Sequence, residues 1–291
     1  MTGTLRSIQR PGPAATLRCQ VVEARVTACG LVLQPGRSLL AAVTDALSTS
    51  AATSAVLTLA GGSLFPFAHV MPALSTSPEH AVYFSDRFDA DAPVRLEFAT
   101  VTYGRHGDQP WLHCHAAWTD AQGQRHCGHL LPDLGVLAAP VLASAWLLDG
   151  AEFRVVADDE TRFSLFKPVP SAPIRAASAA GRPALAIRLG PNEDLCTALE
   201  AICRERGIRQ ARVRGGVGST VGVVFDDGRR VEPFVTETLV RQGRMVTGRD
   251  GSPRAEIDVS MVDHLGGQAS GRLARGANPV LVTFELVLEP V

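Results

Sequence analysis

The sequence predicts an α+β protein made of two tandem copies of one α/β domain, each a mainly antiparallel sheet with a packed helix. Three observations predict it. Matching segments recur in the same order at a near-constant offset. Each copy holds one stretch with apolar residues at helical spacing. Much of the remainder alternates with the period of strands. The chain has 291 residues, enough for two ordinary domains, and at 46% hydrophobic and 20% charged each half can bury a core.

The helices come first. Leu39, Val43 and Leu47 share one face behind Ser38, and Leu195, Leu199 and Ile202 do the same 156 residues later. Pro35-Gly36 leads into the first helix. Gly190-Pro191-Asn192 leads into the second, with Asn192 read as its N-cap. Each helix precedes a β-like run and a glycine turn, Gly61-Gly62-Ser63 in the first copy and Gly215 to Ser219 in the second. Gly62-Ser63 and Gly218-Ser219 again lie 156 residues apart.

Further on the offset falls to 143, so that Leu112-His113-Cys114-His115-Ala116 aligns with Ala255-Glu256-Ile257-Asp258-Val259, and Gly128-His129-Leu130 with Gly271-Arg272-Leu273. The second copy is therefore shorter by about 13 residues, a difference assigned to residues 65–91 of the first. Apolar strands over 139–148 and 279–288 close the copies, and alternation over 16–26 suggests a first strand behind a loose N-terminal arm. Pro168, Pro170 and Pro173, followed by small residues, mark a linker. The expected division is a first domain over 1–168, a linker over 169–183 and a degenerate second domain over 184–291.

The chemistry sits in the first copy. His113 and His115 are two apart in a strand and project from one face. Asp120 to Gly123 signals a turn, and a hairpin there returns His129 to the level of the other two. Three neutral imidazoles at one point suit a divalent metal, zinc best, with a position left open for Lewis-acid chemistry. Cys127 is a possible fourth, softer ligand and Glu97 a possible base. The second copy carries Glu256, Asp258 and Arg272 at the histidine positions, a set suited to an ion pair. Gly62, Ser63, Gly218 and Ser219, with Arg212 and Arg214, are candidates for binding an anion.

Composition bounds the partners. Residues 1–170 hold 12 basic and 15 acidic side chains and residues 171–291 hold 16 and 14. Neither half has the positive excess that nonspecific DNA binding requires. Lys167 is the only lysine, an arginine bias that fits a GC-rich bacterial genome. Six cysteines without a C-x-x-C pair, no signal segment and no apolar run near 18 residues lead to the expectation of a soluble, reduced, cytoplasmic protein without membrane contact.

These motifs resemble the plant and prokaryote conserved (PPC) domain family, also called DUF296. The shared pattern is Pro35-Gly36 before a helix, the Gly62-Ser63 turn, His113-x-His115, an acidic-glycine turn over Asp120 to Gly123, and Cys127-Gly128-His129. Cys127 departs from the glycine of the family pattern. The resemblance covers almost the whole chain as two copies. It implies an α/β fold with a mainly antiparallel sheet and assembly as a homo-oligomer, a trimer first. Plant members carry an AT-hook core, Arg-Gly-Arg-Pro; this chain has Ala180-Gly181-Arg182-Pro183 and lacks the first arginine. The function expected is a metal-binding protein for a small anionic ligand or substrate, as enzyme or binder. The alternative is a DNA-associated regulatory protein or oligomeric scaffold with a structural metal.

Overall fold

The computed structural model describes residues 6–172 and 181–291. Its first half runs β1 (Cys19–Leu33), α1 (Leu39–Leu47), β2 (Ala55–Ala60), β3 (Ser63–Leu64), β4 (Ala68–Val70), β5 (Pro72–Leu74), β6 (Val82–Phe84), β7 (Phe88–Asp89), β8 (Val94–His106), β9 (Gln109–Thr119), β10 (Arg125–Leu130), β11 (Leu137–Ala139), β12 (Val141–Asp149), β13 (Ala151–Ala157) and β14 (Ser164–Pro170). The second half runs β15 (Arg182–Leu189), α2 (Leu195–Glu205), β16 (Ala211–Val224), β17 (Arg230–Thr247), β18 (Pro253–Asp263), β19 (Gln268–Arg272) and β20 (Val280–Pro290).

One strand order occurs twice. In the first half β1, β12, β2, β8, β9 and β10 pair in that sequence. In the second, β15, β20, β16, β17, β18 and β19 do the same. The halves are joined through β1, whose N-terminal part pairs with β15 and whose C-terminal part pairs with β12. One apolar core spans residues from Leu33 to Ala145 and a second spans Leu185 to Leu288. A third, with Val26, Val56, Phe153, Ala186 and Val287, packs between the halves.

The α+β expectation is corrected. Strand makes up 59% of the chain and helix 7%, so the protein is a mainly antiparallel β structure with two short helices among the described residues. The helical period stands out in a sequence because nine residues suffice to show it. Two- and three-residue strands such as β3 to β7 are too short to show an alternation in the sequence. Residues 65–91 carry four short strands, β4 to β7, and the hairpin of β5 and β6 stands apart from the main sheet.

Each helix start is fixed by a side-chain oxygen. Ser38 Oγ accepts from Ala41 N at 3.3 Å, and Asp194 Oδ1 accepts from Thr197 N at 2.8 Å. The cap of α2 is therefore Asp194 and not Asn192. Asn192 adopts φ 67° and exchanges two hydrogen bonds with the backbone of Ile8. That contact, with Ala15 N donating to Glu160 Oε2, ties down Ile8 and Ala15 in a segment expected to be loose. At the two ends of the expected linker over 169–183, β14 reaches Pro170 and β15 starts at Arg182. Residues 173–180, including Ala180, lie outside the described residues.

The second glycine turn is also corrected. Gly215 to Ser219 lie inside β16, where the register against β20 shifts between Arg214 and Val217. Gly215 and Gly216 adopt φ 64° and 116°, and a Cβ there would come 2.8 Å from Val56 and 2.5 Å from Val240. These glycines bend the strand and let it lie against the first half, where Thr100 Oγ1 donates to the Gly216 carbonyl at 3.0 Å.

Leu199 is fully buried on α2 against the second core. Leu199→Ala is expected to lower unfolding free energy by about 3 kcal/mol, read from urea denaturation. A change below about 1 kcal/mol would show that α2 is not a cohesive part of that core.

Candidate metal centre

Strand alternation places His113 and His115 on one face of β9, and the Asp120 turn folds β10 back so that His129 stands directly opposite His115. Asp120 Oδ1 accepts from the backbone of Gln122 and Gln124, which closes the turn. The three rings converge. His113 Nε2 lies 3.2 Å from His115 Nε2, and His129 Nδ1 lies 3.3 Å from the same atom. A tetrahedral ion holding nitrogens at about 2.05 Å separates them by about 3.3 Å, so these spacings fit a bound metal.

The other nitrogens are held from the second half of the chain. His115 Nδ1 donates to the Thr238 carbonyl at 3.0 Å, and His113 Nδ1 donates to Glu285 Oε2 at 2.9 Å. A carbonyl only accepts, so the His115 proton sits on Nδ1 and the Nε2 lone pair faces the centre. The Glu285 carboxylate orients His113 the same way. Such outer partners set both ring orientation and ligand basicity. Burial and the neighbouring imidazoles hold His115 and His129 well below the usual histidine range, which keeps these two rings neutral, the form a metal binds.

A third residue from the second half completes the surroundings. Glu237 on β17 is buried, with Oε1 3.9 Å from His115 Nε2 and 4.0 Å from His129 Nδ1. Burial pushes its carboxyl well above the ordinary range, offset in part by a hydrogen bond from the His129 backbone. Sequence reasoning missed Glu237, Thr238 and Glu285. Each lies more than 100 residues from its histidine, and no local spacing points to it.

Above the centre opens a cavity of about 370 Å³, walled by Tyr83, Phe84, Phe163, Leu165 and Leu281. Phe84 packs on the His129 ring with centroids 5.1 Å apart. Among the described residues, no arginine or lysine lines this cavity.

The remaining expected site residues lie elsewhere. Cys127 is buried with Leu239 and Val262 in an apolar cluster, which pushes its thiol up to about 12, and it is not among the convergent ligand atoms. Glu97 accepts from Thr119 and pairs with Arg125, so the proposed base is an ordinary ion-pair partner. Gly62 and Ser63 form the turn into β3, away from the cavity. Arg214 covers the Trp146 ring and pairs with Glu289, and Arg212 is an exposed residue of β16. Gly218 and Ser219 do line the cavity, but Ser219 Oγ already accepts from Val282 N. The anion site expected from these six residues is not assembled.

In the second half Asp258 and Arg272 stand opposite each other in the register of His115 and His129. Arg272 binds Asp258 through two hydrogen bonds of 3.0 and 3.1 Å, and Glu256 flanks it at 3.7 Å. Arg244 also pairs with Glu256.

No family profile matches the chain, and neither does any curated protein. Solved structures do, each over half of this chain. A PPC protein from Pyrococcus horikoshii is 12% identical, with 51% of this chain and 96% of that one matched at a TM-score of 0.41. A metal-containing protein from Archaeoglobus fulgidus is 16% identical over 50% and 97% of the two chains, again at 0.41. A protein from Ralstonia eutropha JMP134 with a conjectural DNA-binding description is 16% identical over 50% and 96%, at 0.35.

The Arg272–Asp258 pair is about one third exposed on both sides. Arg272→Ala is therefore expected to cost less than about 1 kcal/mol of stability, a loss further reduced by salt, when measured by thermal or urea unfolding. A cost of several kcal/mol would mean the pair is shielded from water.

Proposed function

We propose that this protein holds a divalent metal ion on His113, His115 and His129 and presents it to a small molecule in the adjoining cavity, as a metal-dependent enzyme or binder. The reading is carried by the convergence of three imidazole nitrogens, with the remaining nitrogens of His113 and His115 tied to Glu285 and Thr238. Three imidazoles suit zinc best among common ions. The ion would act as a Lewis acid toward an oxygen atom of the bound molecule.

The chain's own residues supply the remainder. Glu285 and Thr238 hold the rings in place. Phe84, Phe163 and Leu165 exclude water and cover an apolar body. With no cationic side chain lining the cavity among the described residues, a negative group on the ligand would be met by the ion itself. The ligand class is thus a small molecule with a carboxylate or carbonyl group on an apolar frame. The DNA-associated alternative has no comparable support. The net charge is -1, and Arg182 of the Gly-Arg-Pro segment is engaged by buried Glu289.

Elemental analysis of the purified protein should find a stoichiometric divalent metal, and His115→Ala should bring it to background. Zinc added to metal-free wild type at 100 times its Kd should raise the melting temperature by about 5 °C or more. Protein that carries no metal and melts unchanged in zinc would end this reading.

A further inference from the structure

The three imidazoles all come from the first half of the chain, but the negative charge beside them comes from the second. Glu237 is 5% exposed. Its Oε2 has no hydrogen-bond partner among the described residues, and its only ion-pair contacts within 4.0 Å there are His115 and His129. Leu239, Val262 and Cys127 form an apolar cluster beside it. A carboxylate removed from water is strongly disfavoured unless a cation meets it, and neutral imidazoles bring no charge. Besides the His129 backbone N–H, what faces the Glu237 carboxylate is the ring of nitrogens itself. Its distances of 3.9 and 4.0 Å exceed the tetrahedral edge of about 3.3 Å by roughly 0.6 Å, within reach of a small side-chain rotation.

We propose that Glu237 is the fourth protein ligand of the metal at His113, His115 and His129, so that the ion is bound between the two halves of the chain. This rests on the metal reading above. The donor set becomes three nitrogens and one oxygen, and the cavity side is left for an exchangeable further ligand, which zinc accepts by expanding to five-coordination. The second copy, which carries an ion pair at its own histidine positions, then serves the first by completing its site. Glu285 has a different part: it touches His113 and positions that ring without ligating.

The test is zinc affinity, measured by competition with a chromophoric chelator on wild type, Glu237→Gln, Glu237→Asp and Glu285→Gln. Glu237→Gln should weaken zinc by about 100-fold or more, against about tenfold for loss of the outer partner in Glu285→Gln. Glu237→Asp keeps the charge but withdraws the oxygen by about 1.5 Å, one carbon–carbon bond, and should weaken zinc nearly as much; it serves alone if Glu237→Gln does not fold. With cobalt as the probe, the visible absorption of either Glu237 variant should shift in position and intensity. Zinc should also slow amide hydrogen exchange over residues 236–240 in wild type and not in the variants. Wild-type affinity and an unchanged cobalt spectrum in the Glu237 variants would overturn the assignment while leaving the three-histidine site standing. Failure of wild type to take up zinc would remove the site itself and this assignment with it.

Discussion

The backbone carbonyl of Thr238 is the acceptor on which the centre depends. It takes the proton of His115 Nδ1 and thereby turns the Nε2 lone pair inward. His115 is in turn the hub, since both other rings are placed by their distance from its Nε2. Thr238 belongs to the other half of the chain, so ligand geometry depends on how β17 lies against β9. That placement rests on Gly215, whose missing side chain allows β16 to approach Val56, and on the Thr100 bond to the Gly216 carbonyl. It rests also on β1, which pairs with both halves at once. A change in any of these would reach the histidines through the backbone, with no ligand altered.

The two copies show how surroundings decide what a hairpin can hold. Opposed positions in one register carry His115 and His129 in the first copy, and Asp258 and Arg272 in the second. The first pair is met by Glu237 and Thr238 of β17, and its environment is dry enough to disfavour protonated imidazole. The second pair faces water, where charged side chains cost little and gain little. Burial of the first hairpin suits neutral ligands that gain a charge only with a metal. Exposure of the second tolerates permanent charges that need none.

The histidine triad was legible because its logic is local. An alternating strand, a turn signal and a return strand bring His113, His115 and His129 together by spacing alone. The duplication was legible for a similar reason, through paired segments such as Leu39 and Leu195 at one offset. The fold class was misjudged because helices announce themselves over nine or more residues, and strands as short as Ser63–Leu64 and Phe88–Asp89 carry no period. Gly215 to Ser219 were read as a turn because glycine permits both a turn and a strand bend, and only the neighbour, Val56, distinguishes them. Glu237, Thr238 and Glu285 were illegible on principle. Their roles arise from one copy packing on the other, and nothing in the residues near them encodes that contact.

The two buried carboxylates beside the histidines differ in a way that says where positive charge is wanted. Glu285 stands opposite Arg188 across β15 and β20, and that buried guanidinium, whose Nε donates to Thr283, offsets its charge from behind. Its remaining demand is met by the His113 N–H. Among the described residues no guanidinium pairs with Glu237, and apart from the His129 backbone N–H what it faces is a set of lone pairs. Lone pairs and a carboxylate repel one another in a dry site unless a cation stands between them. A proton on Glu237 would relieve its charge but leave the imidazole nitrogens crowded at 3.2 to 3.3 Å without a shared partner. A divalent ion answers both demands together. It would also turn a pocket whose only charged walls among the described residues are acidic into one able to hold an oxygen-bearing ligand.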